Sequence, residues 1–308
     1  MSVAVLNRSC DRPPLRLAVK APAKINLTLQ VLGTRADGFH EIRSLAVGVG
    51  LHDELAAALS PGAGHQIQCS EPALSNDDNL VLRAARAWSD RFDPKAFFSF
   101  ELAKRIPIGA GLGGGSSDAA AALRLAGAIR GDGIGTDQAT VIAATLGSDV
   151  PFFFQLPAAV MTGRGESVTR VQLGWSGWAL IVFFGESVST ADVYRVWRKD
   201  DSGIVDEALE ASICRLRRAD EIMGALRNDL ETALARVHRD SDSWRRDLQS
   251  CGLGDFCVTG SGSACFRLYD DVSEARGAAS RIQGFRPGVR TFVVPAPVGT
   301  APLMGKDE

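Results

Sequence analysis

Pro107-Ile108-Gly109-Ala110-Gly111-Leu112-Gly113-Gly114-Gly115-Ser116-Ser117-Asp118, followed at once by an alanine-rich run to residue 129, decides how this chain is read. Five of the seven residues 109–115 are glycine, so the backbone there is free to take positive φ and to approach a ligand closely. The run that follows has high helix propensity, and Ser116, Ser117 and Asp118 suit its first turn. A helix that opens directly out of a glycine loop presents free N–H groups and a positive dipole end, which together favour phosphate. The bland alternative is a flexible surface connector. So many glycines between a strand and a strong helix cost more conformational entropy than a plain connector warrants.

Two familiar phosphate loops can be tested against the stretch. Gly109, Gly111 and Gly114 satisfy G-x-G-x-x-G, the fingerprint of dinucleotide folds. Those folds run a hydrophobic strand straight into the first glycine, whereas here Lys104-Arg105-Ile106-Pro107 intervenes and proline breaks ladder bonding. A Walker loop anchored on Gly109 and Gly114 would place Gly115 where its lysine belongs. Neither fits.

Upstream, residues 15–69 favour strands: Ile25, Leu27, Leu29 and Val31 alternate with polar residues, and the turn 34–41 follows. Residues 53–59 read as strand or helix. Helical spacing over 79–92 has Asn76, Asp77 or Asp78 available as N-cap. A strand is expected over 97–107, ending at Pro107, then the loop and its helix, a helix over 136–146 and a short strand at 151–155. More strands follow up to residue 184 and mainly helix over 190–250. Strand, glycine turn and strand come next over 255–270, a helix near 272–283 and a strand at 289–295. Strands early and helices late indicate an α+β fold. The expected organisation is a mobile lead-in (1–15), an N-terminal domain (16–165), a C-terminal domain (166–297) and a mobile tail (298–308).

Composition excludes other classes. The chain has 308 residues, 45% hydrophobic and 23% charged, which is globular and not disordered. Its 32 glycines follow no every-third rule, so it is not collagen-like. A net charge of -2 gives no general footprint for nucleic acid or an anionic membrane, and no apolar run approaches a membrane span. The start of the chain does not read as a signal peptide, and a cytoplasmic location is expected. Six cysteines show no C-x-x-C and no zinc-like cluster, and Cys257 and Cys265 read as small buried hydrophobes. The five tryptophans have no cage-like spacing and read as packing or surface residues.

The loop, with Pro107 at its head, resembles the signature of the galactokinase, homoserine, mevalonate and phosphomevalonate kinase (GHMP kinase) superfamily. Other blocks match one branch of it, in order: PAKINLTL (22–29), DGFHE (37–41), GLGGGSSDAA (111–120), GSDVPFF (147–153), GRGE (163–166), NDLE (228–231) and GSGSACF (260–266). The resemblance spans residues 16–295. It implies the two-domain α+β fold of these kinases, with the active site in the interdomain cleft, and a small-molecule kinase using ATP and Mg2+. The implied acceptor is a cytidylyl-linked sugar alcohol, with no nucleic-acid or membrane partner. Homoserine or mevalonate kinase, or a non-catalytic nucleotide-binding relative, are the alternatives; the DGFHE turn and retention of both Lys24 and Asp149 argue against them.

The residues carry parallel physical readings. Asp149, just before Pro151 and an apolar segment, could accept a hydroxyl proton or simply cap a turn. Lys24 shares a strand face with Asn26 and Thr28; alone it is a solvated lysine, but by resemblance it pairs with Asp149 and faces the reacting hydroxyl. Asn26 would contact the same substrate end. By resemblance, Phe39 and His40 hold the cytidine, with Phe39 replacing a usual tyrosine and so losing its hydroxyl. Thr190 and Tyr194 would form the other wall. Residues 107–117 would bind ATP, with Ser117 a magnesium or phosphate contact and Asn79 and Lys104 bordering the adenine. Asp118 reads as a helix-start carboxylate. The Gly260-Ser261-Gly262-Ser263 turn is either a hairpin or a substrate contact.

Overall fold

The computed structural model describes residues 15–62, 64–131 and 136–305. The expected lead-in up to residue 14 and the last three residues lie outside them. The first half runs β1 (Leu17–Asn26), β2 (Thr28–Thr34), β3 (His40–Leu59), β4 (Gln66–Cys69), α1 (Leu80–Phe92), β5 (Phe98–Ala103), α2 (Gly114–Arg130) and α3 (Thr136–Leu146). After it come β6 (Ala158–Gly163), β7 (Ser167–Arg170), β8 (Gly177–Phe183), α4 (Thr190–Val196), α5 (Leu209–Ile213), α6 (Ala219–Met223) and β9 (Arg227–Asn228). The chain closes with α7 (Glu231–Val237), α8 (Ser241–Ser250), β10 (Cys257–Val258), β11 (Cys265–Tyr269), α9 (Val272–Phe285), β12 (Arg290–Ala296) and β13 (Met304–Gly305).

Two sheets result, in the mixed α and β architecture expected. The larger has nine strands built on β3, whose 20 residues pair with β1, β2, β5 and β6. The smaller is antiparallel, in the order β10-β11-β8-β12. Alanines 119–122 of α2 are buried, and such small side chains let the helix lie close on α1 and the large sheet. A separate apolar cluster joins Ile25 and Val47 of the large sheet to Ile181 and Phe266 of the small one, with Ile106, Ala110 and Leu112 of the loop among them. Apolar residues inside the glycine loop thus anchor it in the core between the sheets.

Several elements differ from the sequence reading. Residues 53–59 are strand, as the end of β3. The segment 151–155 is not a strand: Pro151–Phe154 form a 3-10 turn, because Pro151 sets φ at its start and two phenylalanines bury at once, Phe152 and Phe153. The strand before the loop ends at Ala103, short of Pro107, because the N–H groups of Arg105 and Ile106 turn to the Asp53 carboxylate at 2.5 and 2.9 Å. The N-cap of α1 is Asn79, whose side chain accepts from the Val81 N–H at 2.9 Å. Residues 190–250 form five short α-helices, a 3-10 turn at Lys199–Asp201 and β9. The polar side of the first strands is not solvated: Asn26, Thr28 and Gln30 are buried, Thr28 and Gln30 each donating to Glu210 at 3.0 Å. The expected mobile tail is tied down as far as residue 305, since β13 pairs with β1 and the Ala301 carbonyl accepts from Arg124 at 2.9 Å.

Candidate active site

The loop between β5 and α2 is stitched to three parts of the molecule through its carbonyls. The Lys24 N–H donates to Leu112 O at 2.9 Å, Ala264 N–H to Ala110 O at 3.1 Å and Val188 N–H to Gly109 O at 3.0 Å. Gly111 has φ +76°, and a Cβ there would lie 2.2 Å from the Thr259 carbonyl oxygen. Gly113, the N-cap of α2, has φ +70°, and its Cβ would press on Lys24 at 2.9 Å. Both are glycine for conformation and for space. The first N–H groups of a helix have no partner within it, and Gly114, Gly115 and Ser116, which begin α2, line a cleft.

That cleft has a volume of about 940 Å³. Its walls include Lys24, Asn26, Phe39, His40, Asn79, Lys104, Asp149, Thr190 and Tyr194, with Pro107, Ile108, Gly109, Ala110, Gly111, Leu112, Gly113, Gly114, Gly115 and Ser116 of the loop. Ser117 is the exception among the residues singled out from sequence. It is buried, its Oγ has no hydrogen-bond partner, and it is absent from the wall that Ser116 lines. Asp118, the next residue along α2, lines the cleft again. Gly260 and Ser261 do line the cleft, so the second glycine turn is more than a hairpin. Asn228 holds it there, donating to the Val258 and Gly260 carbonyls at 2.8 Å each.

Lys24 and Asp149 meet on this wall. Lys24 Nζ lies 3.5 Å from Asp149 Oδ2 and 2.5 Å from Asn26 Oδ1. The lysine side chain is 5% exposed and the aspartate 35%, so the amine is shielded while the carboxylate opens to the cleft. Asn26 is itself fixed, donating from Nδ2 to Ser44 Oγ at 2.8 Å and from its backbone to Thr259 Oγ1 at 3.0 Å.

Asn79 and Lys104 reach the wall with their polar groups already engaged. Asn79 caps α1 and donates to the Leu74 carbonyl at 2.8 Å. Lys104 Nζ sits between Asp53 (2.5 Å) and Asp118 (2.7 Å), all three buried. Asp118 is therefore more than a helix-start carboxylate. Burial pushes its acid up to about 7, opposed by the pull of Lys104 and assisted by the Asp53 charge.

At the opposite end, His40 faces Tyr194 with ring centroids 5.0 Å apart and meets Trp197 edge-on at 5.2 Å. Burial lowers the His40 pKa, favouring a neutral imidazole that can donate at one nitrogen and accept at the other. Burial first, then the Asp149 charge, push the Tyr194 phenol up, so it stays protonated. Thr190 and Ser261 share a hydrogen bond of 2.9 Å, which ties α4 to the second glycine turn. Phe39 is half exposed with the Arg164 guanidinium 5.0 Å over its ring. Sequence reasoning passed over Arg164 and the Lys104 partner Asp53, and read Trp197 as a packing or surface residue. Arg164 lies inside the GRGE block, at its variable position.

The loop, the charge pair and the arrangement of sheets define a GHMP kinase, and residues 79–155 match the description "GHMP kinases N terminal domain". A homoserine kinase structure from Cytophaga hutchinsonii shares the fold with a TM-score of 0.68 at 14% identity, covering 98% of this chain and all of that one. The 4-diphosphocytidyl-2-C-methyl-D-erythritol kinase of Geobacter sp. (strain M21) is 35% identical over 282 residues, 90% of this chain and 99% of that protein. Its counterpart in Salinibacter ruber is 35% identical over 287 residues, 91% and 99% of the two. A crystal structure of 4-(cytidine 5'-diphospho)-2C-methyl-D-erythritol kinase superposes with a TM-score of 0.75 at 32% identity, covering 92% of this chain and 100% of that one. The chain belongs to the family of 4-diphosphocytidyl-2-C-methyl-D-erythritol kinases.

Proposed function

We propose that this enzyme transfers the γ-phosphoryl group of ATP to the 2-hydroxyl of 4-diphosphocytidyl-2-C-methyl-D-erythritol, a step of non-mevalonate isoprenoid precursor biosynthesis. The observation that carries the reading is the Lys24–Asp149 pair at 3.5 Å, on the wall of the cleft that also holds the amide-lined loop. Asp149 takes the proton of the 2-hydroxyl as its oxygen attacks the γ-phosphorus. The bond from that phosphorus to the β,γ-bridging oxygen breaks, and ADP leaves with the electron pair. Lys24 keeps the carboxylate ionised before the transfer and offsets negative charge on the reacting oxygens during it. The N–H groups of Gly114, Gly115 and Ser116 hold the triphosphate.

The hard oxygen donors on the wall, Ser116 and Asp149, suit Mg2+, with Ser116 in the role first assigned to Ser117. When bound with ATP, the ion neutralises charge on the phosphates. Phe39 offers a stacking face for cytosine and His40 a donor and acceptor for its polar edge, with Thr190 and Tyr194 closing the far side. We further propose that residues 16–165 and 166–297 act as two domains with the cleft between them. Among the described residues no helix is long and apolar enough to cross a membrane, and we place the enzyme in the cytoplasm. Coupled detection of ADP with the cytidylyl sugar alcohol, homoserine and mevalonate offered in parallel tests the reading. ADP should be released with the first alone; release with either other acceptor, or with none, would contradict it.

A further inference from the structure

The lysines and arginines on the cleft wall are Lys24, Lys104, Arg164 and Arg195. Three are already paired: Lys24 with Asp149 (3.5 Å), Lys104 with Asp53 and Asp118 (2.5 and 2.7 Å), and Arg195 with Asp192 (2.7 Å). Arg164 has no ion pair among the described residues. Its Nη2 donates to the Ala144 carbonyl at 3.1 Å and its backbone N–H to Glu166 Oε2 at 2.7 Å, its guanidinium lies over the Phe39 ring, and the other guanidinium N–H groups have no acceptor among the described residues.

Its position is as informative as its charge. Arg164 sits in the turn between β6 and β7. On one side it touches Phe39, in the base wall. On the other, a Cβ on the next residue, Gly165, would be in ordinary contact with Ser148 at 3.4 Å, and Ser148 precedes Asp149. The turn that carries the uncommitted guanidinium therefore runs from the surface for the base to the residue before the Asp149 carboxylate, and both Arg164 and Asp149 line the cleft. In a nucleoside diphosphate ester that carries its alcohol at the far end, the two phosphates occupy that same interval. A planar guanidinium matches phosphate oxygens in pairs, which a lysine does not.

We propose that Arg164 binds the diphosphate of the acceptor substrate and so selects a charged nucleotide-linked alcohol over a free one. This deepens the function given above and rests on it. The acceptor's phosphates then have a cation of their own, separate from the loop amides that hold ATP.

The test compares wild type, Arg164→Met and Arg164→Lys by calorimetric titration with cytidine 5'-diphosphate and with cytidine, alongside steady-state kinetics and thermal unfolding. Methionine keeps an apolar stem over Phe39 and removes the charge. A charge-assisted contact predicts that Arg164→Met weakens cytidine diphosphate by roughly 10–100-fold and cytidine by less than about threefold. The kinetic loss should fall on KM for the acceptor and not on KM for ATP, with part of it recovered in Arg164→Lys. Equal weakening of both ligands would make Arg164 only a support for Phe39 and overturn the proposal. So would unchanged binding, or a lowered melting temperature with KM rising for both substrates, which would mark a plain cap on the end of α3. If wild type binds neither ligand, the acceptor itself is wrong and this proposal falls with it. Wild-type binding that survives in Arg164→Met overturns the arginine's role alone.

Discussion

At the scale of single residues, the site separates the charge that works from the charge that supports. Asp149 is open to the cleft while Lys24 behind it is buried and steadied by Asn26. Asp149→Asn keeps the shape and removes the base, so turnover should fall by roughly 10²–10⁴-fold with an unchanged melting temperature. Kinetics and thermal unfolding of the purified variant check both parts. Asp118 has the opposite character. Its acid rises from an ordinary 3.8 to about 7 because it is buried, so folding favours the protonated form. That contribution is complete below about pH 4 and is lost as the pH climbs through about 7. Wild type should therefore lose melting temperature relative to Asp118→Asn between pH 5 and pH 8; parallel melting curves across that range would contradict this. Lys24, Asp149 and His40 were legible in the sequence because each lies in a compact motif. The Lys104–Asp53–Asp118 cluster was not, because tertiary contact alone brings together residues 14 and 51 positions apart. Nor was it legible that Ser116 lines the cleft while the Ser117 side chain is buried.

Elements position those residues by packing loop against turn. The Gly111 backbone lies so close to Thr259 that any side chain must displace one of them, and its φ is strained for any other residue. Gly111→Ala should lower stability by about 1–3 kcal/mol and raise KM for ATP at least tenfold. Denaturant unfolding and initial rates test the two effects, and a variant as stable as wild type with unchanged KM would refute the packing argument. Strand alternation from residue 25 to 31 was readable, but not that its polar side is covered too, since Glu210 arrives from 180 residues away to satisfy Gln30. The end of β5 was misplaced for a related reason: Asp53, on β3, captures the backbone N–H groups that would have extended the strand. Pro151 could be read as a fixed point in the chain, but whether strand or 3-10 turn followed depended on where the core lay.

On the scale of the whole molecule, a net charge of -2 leaves phosphate recognition to local groups in the cleft, which by the proposals above are the loop amides at one end, Lys24 at the reacting centre and Arg164 beyond it, toward the base wall. Composition gave no general footprint for an extended anionic partner, and the ordered motifs pointed to the fold that the two sheets display. The cytidylyl-linked acceptor was already implied by the resemblance of the ordered motifs, and the family comparison agrees with it. The central claim is that the phosphoryl group goes to the 2-hydroxyl, and that carbon bears the methyl branch and no hydrogen. Phosphorus NMR of the product of 4-diphosphocytidyl-2-C-methyl-D-erythritol and ATP tests this most directly. The account predicts one new phosphomonoester signal without three-bond coupling to a proton. A new signal split by carbinol protons would place the phosphate on another hydroxyl and contradict it.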